Sequence, residues 1–98
     1  MKRVLSYAIG AVVLIVAPQA LAANGQQVYN ESCAVCHNNL DPKLSDKAAW
    51  APRLKLGHDA LVAAVINGKG AMGPRAGNPA LSDDDIKAAV EYIEGKVK

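Results

Sequence analysis

The pentapeptide Cys33-Ala34-Val35-Cys36-His37 holds both cysteines of this 98-residue chain and one of its two histidines, and no other feature constrains the fold as much. A disulfide between Cys33 and Cys36 would close a very small loop and restrict the unfolded chain little. With a histidine directly after the second cysteine, the C-x-x-C-H spacing fits covalent attachment of a c-type haem instead. On a helix, Cys33, Cys36 and His37 stand at i, i+3 and i+4 and share one face. Two thioethers then pin the haem edge while the His37 imidazole reaches the iron as proximal ligand. Zinc is a first alternative, but the chain has no further Cys and only His58 as another His. A dithiol redox pair is a second, and it expects a βαβ setting that the flanking sequence does not offer.

The N-terminal residues bear on the compartment. Lys2 and Arg3 precede an apolar run from Val4 to Ala17, and Pro18 leads into Ala20-Leu21-Ala22. This is the charged, apolar and small-residue order of a secretory signal. The run is shorter than the roughly 20 residues that span a bilayer. Residues 1–22 therefore read as a cleaved signal peptide and 23–98 as one domain, exported to the periplasm; an uncleaved anchor is the alternative. Cleavage removes Lys2 and Arg3, so the 11 basic residues fall to 9 against 9 acidic ones and the formal net charge falls from +2 to 0. No basic surplus remains to argue for nucleic acid or an anionic membrane. The 51% apolar and 20% charged composition argues against disorder. The remaining 98 − 22 = 76 residues are near the size at which a protein core alone is marginal, so a cofactor is expected to complete it.

The second axial position decides what a haem here would do. Met72 is the one methionine left after cleavage, and it lies between Asn67 and Pro79 in a stretch with four Gly and two Pro. Such a stretch is a loop, and its glycines let backbone approach a flat surface closely. Met/His is a standard axial pair, so Met72 is the expected ligand. His58, beside a helix start, is the competitor and would give a bis-His haem of lower potential.

The periodicity predicts four helical segments and no sheet. The first runs from about Gly25 to His37. A short second one starts after Asp46, a good N-cap, carries Trp50 and is expected to end at Pro52. The third carries Leu61, Val62, Val65 and Ile66 on one stripe and stops at Asn67-Gly68. In the fourth, Ser82 and Asp85 resemble a capping box, Asp83 to Asp85 suit the positive end of the dipole, and Ile86, Ala89, Val90, Ile93 and Val97 form the buried face.

Taken together, the sequence resembles a class I c-type cytochrome, and in detail the small bacterial cytochromes c5. The resemblance rests on Gly25 through Tyr29 leading to the C-x-x-C-H, on Asp41-Pro42 through Trp50, on the loop Gly68-Lys69-Gly70-Ala71-Met72, and on the last helix around Tyr92. It implies an all-α cytochrome c fold, about four helices around one covalent haem. It implies that the Pro42 carbonyl accepts the Nδ1 proton of His37. It further implies that Trp50 lies beside the haem propionates and donates its indole N–H to one, and that Gly25, Tyr29 and Tyr92 stand where the first and last helices cross. Cys33, Cys36, His37, Met72, Pro42 and Trp50 are thus the expected cofactor-binding residues. The chain departs from the family in placing Gly73 between Met72 and Pro74, which softens the loop, and in having Ser45 before Asp46.

With both axial positions filled, the implied activity is one-electron transfer without catalysis. The implied partners are redox proteins, some of them membrane-bound, met by a monomer or weak dimer. Two ionised propionates on a neutral polypeptide give about −2 or −1 overall, so steering is expected to be weak. The contact rim, with Ala34, Ala71, Met72 and Gly73, is expected to bury less than about 1,200 Å². A five-coordinate haem acting as sensor or peroxidase is the alternative, with Arg75 as the nearest distal candidate.

Overall fold

The structure, a computed structural model, describes residues 23–98; the expected signal peptide lies outside them. Asn24 starts the first helix, its Oδ1 accepting from the Gln27 N–H at 3.1 Å. Helix α1 (Gly25–Val28) passes into one π turn (Tyr29–Cys33), where the Ala34 N–H donates to the Tyr29 carbonyl, and then into α2 (Ala34–His37). The segment expected over 25–37 is therefore continuous, but its middle is wider than an α-helix. The turn ends at Cys33, whose φ of −114° departs from helical values.

Helix α3 (Lys47–Leu54) starts at Asp46, whose Oδ1 accepts from the Ala49 N–H at 3.1 Å. Pro52 does not end it. The ring removes one N–H from the ladder, yet Lys55 still donates to the Ala51 carbonyl, and Leu56 to that of Arg53. Trp50 and Leu54 pack in the core, and that burial holds the last turn despite the missing bond. Helix α4 (His58–Asn67) is bracketed by Gly57 and Gly68 at φ 93° and 86°, left-handed positions that suit glycine. Helix α5 (Asp83–Val97) carries the full capping box. Ser82 Oγ accepts from the Asp85 N–H and Asp85 Oδ2 from the Ser82 N–H, both at 3.0 Å.

All five residues of the expected stripe on α5 are buried, and they divide between two clusters. Ala89, Ile93 and Val97 pack with Tyr29, Cys33 and Trp50. Ile86 and Val90 pack with Val62, flanked by Leu61, Val65, Ile66 and Leu81. One helix thus ties the cysteine segment and α3 to α4. Its crossing with α1 is close because residue 25 is glycine: a Cβ there would collide with the Ala88 carbonyl oxygen. Next to that crossing the rings of Tyr29 and Tyr92 lie 5.5 Å apart at 43°, within the range of favourable aromatic pairs.

Between α4 and α5 the chain forms a loop with two pieces of local order. Lys69 and Met72 exchange both backbone hydrogen bonds, at 2.8 and 2.9 Å, and this isolated bridge is the sole β pairing among the described residues. A short 3₁₀ turn (Pro74–Gly77) follows, a local regularity the composition did not predict, with Arg75 and Ala76 at φ 55° and 54°. No helix of the described residues is long and apolar enough to cross a membrane.

Candidate haem site

The helices and the loop enclose a cavity of about 400 Å³, within the range of roughly 300–1,000 Å³ common for small-molecule and cofactor pockets. Its floor is the inner face of α5, from Ile86 to Ile93. Leu61, Ala64 and Val65 of α4 form one wall, Cys33, His37, Pro42 and Trp50 another, and Met72 enters from the loop. Five of the six expected binding residues therefore line one space. Cys36 is the exception, exposed and outside the lining. The π turn ends at Cys33 and Ala34–His37 is α-helical, so the two cysteines are joined by a helical turn on which Cys36 faces solvent. Neither cysteine is in a disulfide. Burial, and then the neighbouring Cys36, push the Cys33 thiol above its usual pKa, so the buried sulfur is held protonated.

His37 is oriented from behind. Its Nδ1 lies 2.8 Å from the Pro42 carbonyl oxygen. A carbonyl can only accept, so Nδ1 carries the proton and Nε2 keeps the lone pair that a metal would take. The His37 carbonyl in turn accepts from the Leu44 N–H at 2.7 Å, which folds the Pro42 segment back against the helix end.

Trp50 stands beside this pair, its ring centroid 5.6 Å from that of His37. Its N–H has another use than the one expected: Nε1 donates to the Lys43 carbonyl at 2.9 Å. An indole has a single donor, so in this arrangement it closes the loop ahead of α3 and has nothing left for a propionate. Arg53, one turn further along α3, also lines the cavity. It was not singled out in the sequence, although the i, i+3 spacing from Trp50 marks it.

The competing residues are engaged elsewhere. His58 is not in the lining; its Nδ1 is 3.0 Å from Glu94 Oε1, which ties the start of α4 to α5. Arg75 donates from Nη1 to the Leu81 carbonyl at 2.9 Å and pairs through Nη2 with Asp83 Oδ1 at 2.7 Å. An apolar cavity carrying one buried thiol, one imidazole with its Nε2 lone pair and one thioether suits a porphyrin that brings its own iron. Among the described residues no group of three or more His, Cys, Asp or Glu could hold a bare metal ion, so nothing here favours the zinc reading.

Comparison with known proteins agrees with this chemistry. A family model described as cytochrome c oxidase, cbb3-type, subunit III matches residues 20–93. Cytochrome c-555 of Chlorobaculum tepidum is 40% identical over 108 aligned positions that span the whole of both chains. Cytochrome c-555 of Chlorobaculum thiosulfatiphilum is 43% identical, over 79% of this chain and 98% of its own. Cytochrome c5 of Azotobacter vinelandii is 37% identical over 76% and 95%. Among solved structures, one chain in a crystal structure of an electron transfer complex of nitrite reductase with cytochrome c superposes with a TM-score of 0.72. That chain is 45% identical to this one, which covers 94% of it, the match taking in 76% of this chain. The fold and the site define a class I c-type cytochrome. Within that class the chain belongs with the small monohaem cytochromes similar to c-555, c5 and c6, and it carries one covalently attached c-type haem.

Proposed function

We propose that the protein is a periplasmic one-electron carrier whose haem iron takes His37 and Met72 as axial ligands. The observation that carries the reading is that an oriented imidazole and a loop thioether line the same cavity. The bound haem supplies reversible one-electron chemistry at iron. The chain does the rest. Cys33 and Cys36 anchor the porphyrin edge, the Pro42 carbonyl holds the His37 ring in one tautomer, and the faces of α4 and α5 keep water from the porphyrin. Filling both axial positions leaves no open site for a substrate, so the protein catalyses nothing alone.

The partners in this reading are other redox proteins, as with the cytochrome c solved in complex with nitrite reductase, and membranes are reached only through membrane-bound partners. Around the attachment site Val35 and Leu40 are 76% and 61% exposed. Exposed apolar side chains of this kind suit brief contacts below about 1,200 Å². Export rests on residues 1–22, which match the secretory pattern.

The test is the oxidised optical spectrum of the haem-loaded protein. The weak far-red charge-transfer band of Met–Fe(III) ligation is expected in the wild type and absent in Met72→Ala. A wild type lacking the band, and binding CO readily when reduced, overturns axial ligation by Met72 in favour of a five-coordinate haem.

A further inference from the structure

Ser32 and Asn78 lie outside the haem site already described: neither lines the cavity, and both are half-buried. Ser32 directly precedes Cys33 on the π turn, and Asn78 follows the 3₁₀ turn of the Met72 loop. They stand 46 residues apart in the chain, and Asn78 Nδ2 donates to Ser32 Oγ at 3.1 Å. Among the described residues this is the one hydrogen bond that joins residues 69–81 to residues 24–44, the segment carrying Cys33 and His37.

The rest of Asn78 fixes how its side chain points. Its backbone N–H donates to the Arg75 carbonyl at 2.9 Å, and its carbonyl accepts from the Leu81 N–H at 3.1 Å. Its Oδ1 accepts from the Ala80 N–H at 3.0 Å. A backbone N–H can only donate, so Oδ1 is the atom turned to Ala80 and the amide nitrogen is left facing Ser32. Local bonds thus hold the side chain in the one orientation that reaches the cysteine segment. Inside the loop, the left-handed Arg75 and Ala76 favour release of the stretch between Met72 and Asn78. A loop biased in that way depends on each tie that closes it.

We propose that the bond from Asn78 to Ser32 couples the haem-attachment segment to Met72, so that Ser32, a positioning residue outside the cavity, sets how readily the iron exchanges Met72 for an outside ligand. The inference rests on the reading of His37 and Met72 as axial ligands. The bond is made in the closed loop; when Met72 leaves and the loop lifts, both groups turn to water. An outside ligand binds only the open form, so its apparent affinity scales with the open fraction. Losing one neutral hydrogen bond raises that fraction by about two- to tenfold. Alanine is a better helix former than serine, so Ser32→Ala does not weaken the segment that carries it, and its effect on Met72 has to pass through the lost bond.

The experiment titrates imidazole into the oxidised, haem-loaded protein while the far-red band is followed. It compares the wild type with Ser32→Ala, Ser32→Thr, Asn78→Ala and the double alanine variant. Ser32→Ala is expected to lose the band at about two- to tenfold less imidazole. Ser32→Thr keeps the hydroxyl and should stay within about twofold of the wild type. Asn78→Ala should shift further, because it also frees the Ala80 N–H, and adding Ser32→Ala to it should give less than about twofold more. In saturating imidazole, where the loop is already open, Ser32→Ala should melt no lower than the wild type. The proposal is overturned by an unchanged titration in Ser32→Ala, by the same loss in Ser32→Thr, by effects that add in full in the double variant, or by a lower melt that persists in imidazole. A wild type without the band refutes axial ligation by Met72, an outcome distinct from a band that is present and ignores residue 32.

Discussion

His37 reaches the cavity from the end of a helix and Met72 from a loop, and the two sides are held by different forces. The His37 side rests on burial: Tyr29, Cys33 and Trp50 pack against Ala89, Ile93 and Val97, each large side chain contributing about 1.5–3 kcal/mol. The Met72 side rests on polar ties. They are the paired backbone bonds of Lys69 and Met72, Asn78 Nδ2 donating to Ser32 Oγ at 3.1 Å, and the Arg75 contacts to Leu81 and Asp83. Such bonds contribute about 1 kcal/mol each, and less where solvent reaches them. Two left-handed non-glycine residues, Arg75 and Ala76, cost roughly another 1–2 kcal/mol apiece. The loop should therefore open locally well before the helices separate, and the Met72 side should be the first to let go of the haem.

The largest expected effect breaks the helical side. In Gly25→Ala the new Cβ meets the Ala88 carbonyl and, at 3.2 Å, the Tyr92 Cβ, so α1 and α5 must move apart. Overpacking of this kind costs about 1–3 kcal/mol. For a domain of this size the melting temperature should drop by about 5–20 °C, read by circular dichroism in the helical region. Normal melting would show that the crossing yields more easily than its geometry implies.

A smaller effect should be confined to the loop. Arg75→Ala removes one bond to the Leu81 carbonyl and one partly exposed ion pair, together about 1 kcal/mol. Amide exchange over residues 69–78 should quicken and the far-red band should fade at a lower temperature, with the helical melt nearly unchanged. A matching drop in the global melt would mean that the two sides unfold as one unit and that the contrast between them is false.

Legibility follows the same division. Periodicity and capping are local signals, so α5 with its Ser82 box and α4 with its stop at Asn67-Gly68 are visible in the sequence. So is the grouping of the motif residues, because C-x-x-C-H and a glycine-rich methionine loop declare themselves by composition. What escaped depended on packing between distant segments. Pro52 reads as a stop, yet burial of Trp50 and Leu54 carries α3 past it. The π turn has no compositional mark, and neither has the exposure of Cys36 beside a buried Cys33. The bond from the Trp50 N–H to the Lys43 carbonyl, at 2.9 Å, joins segments whose approach nothing in the sequence reveals.

An effect of similar size, which shrinks with rising pH, tests the helical side from within. Tyr29 is 2% exposed, and its hydroxyl donates to Asn38 Oδ1 at 2.8 Å. Burial raises its pKa above the ordinary phenol value of about 10, with Cys33 and then Tyr92 adding to the shift; the Cys33 contribution disappears once that sulfur is a thioether. Folding therefore favours the protonated phenol. Its contribution is complete below about pH 10, where the unfolded chain also keeps the proton, and is lost as the pH rises through the higher folded value. Tyr29→Phe removes the hydrogen bond at a cost of about 1 kcal/mol near neutral pH, and it also removes the alkaline penalty. Denaturant titrations of the two proteins should accordingly converge as the pH is raised past 10, with the difference in stability shrinking and not growing. A gap that stays constant across that range would mean that the Tyr29 hydroxyl ionises as readily in the fold as outside it, and that the crossing of α1 and α5 is less well sealed than its burial indicates.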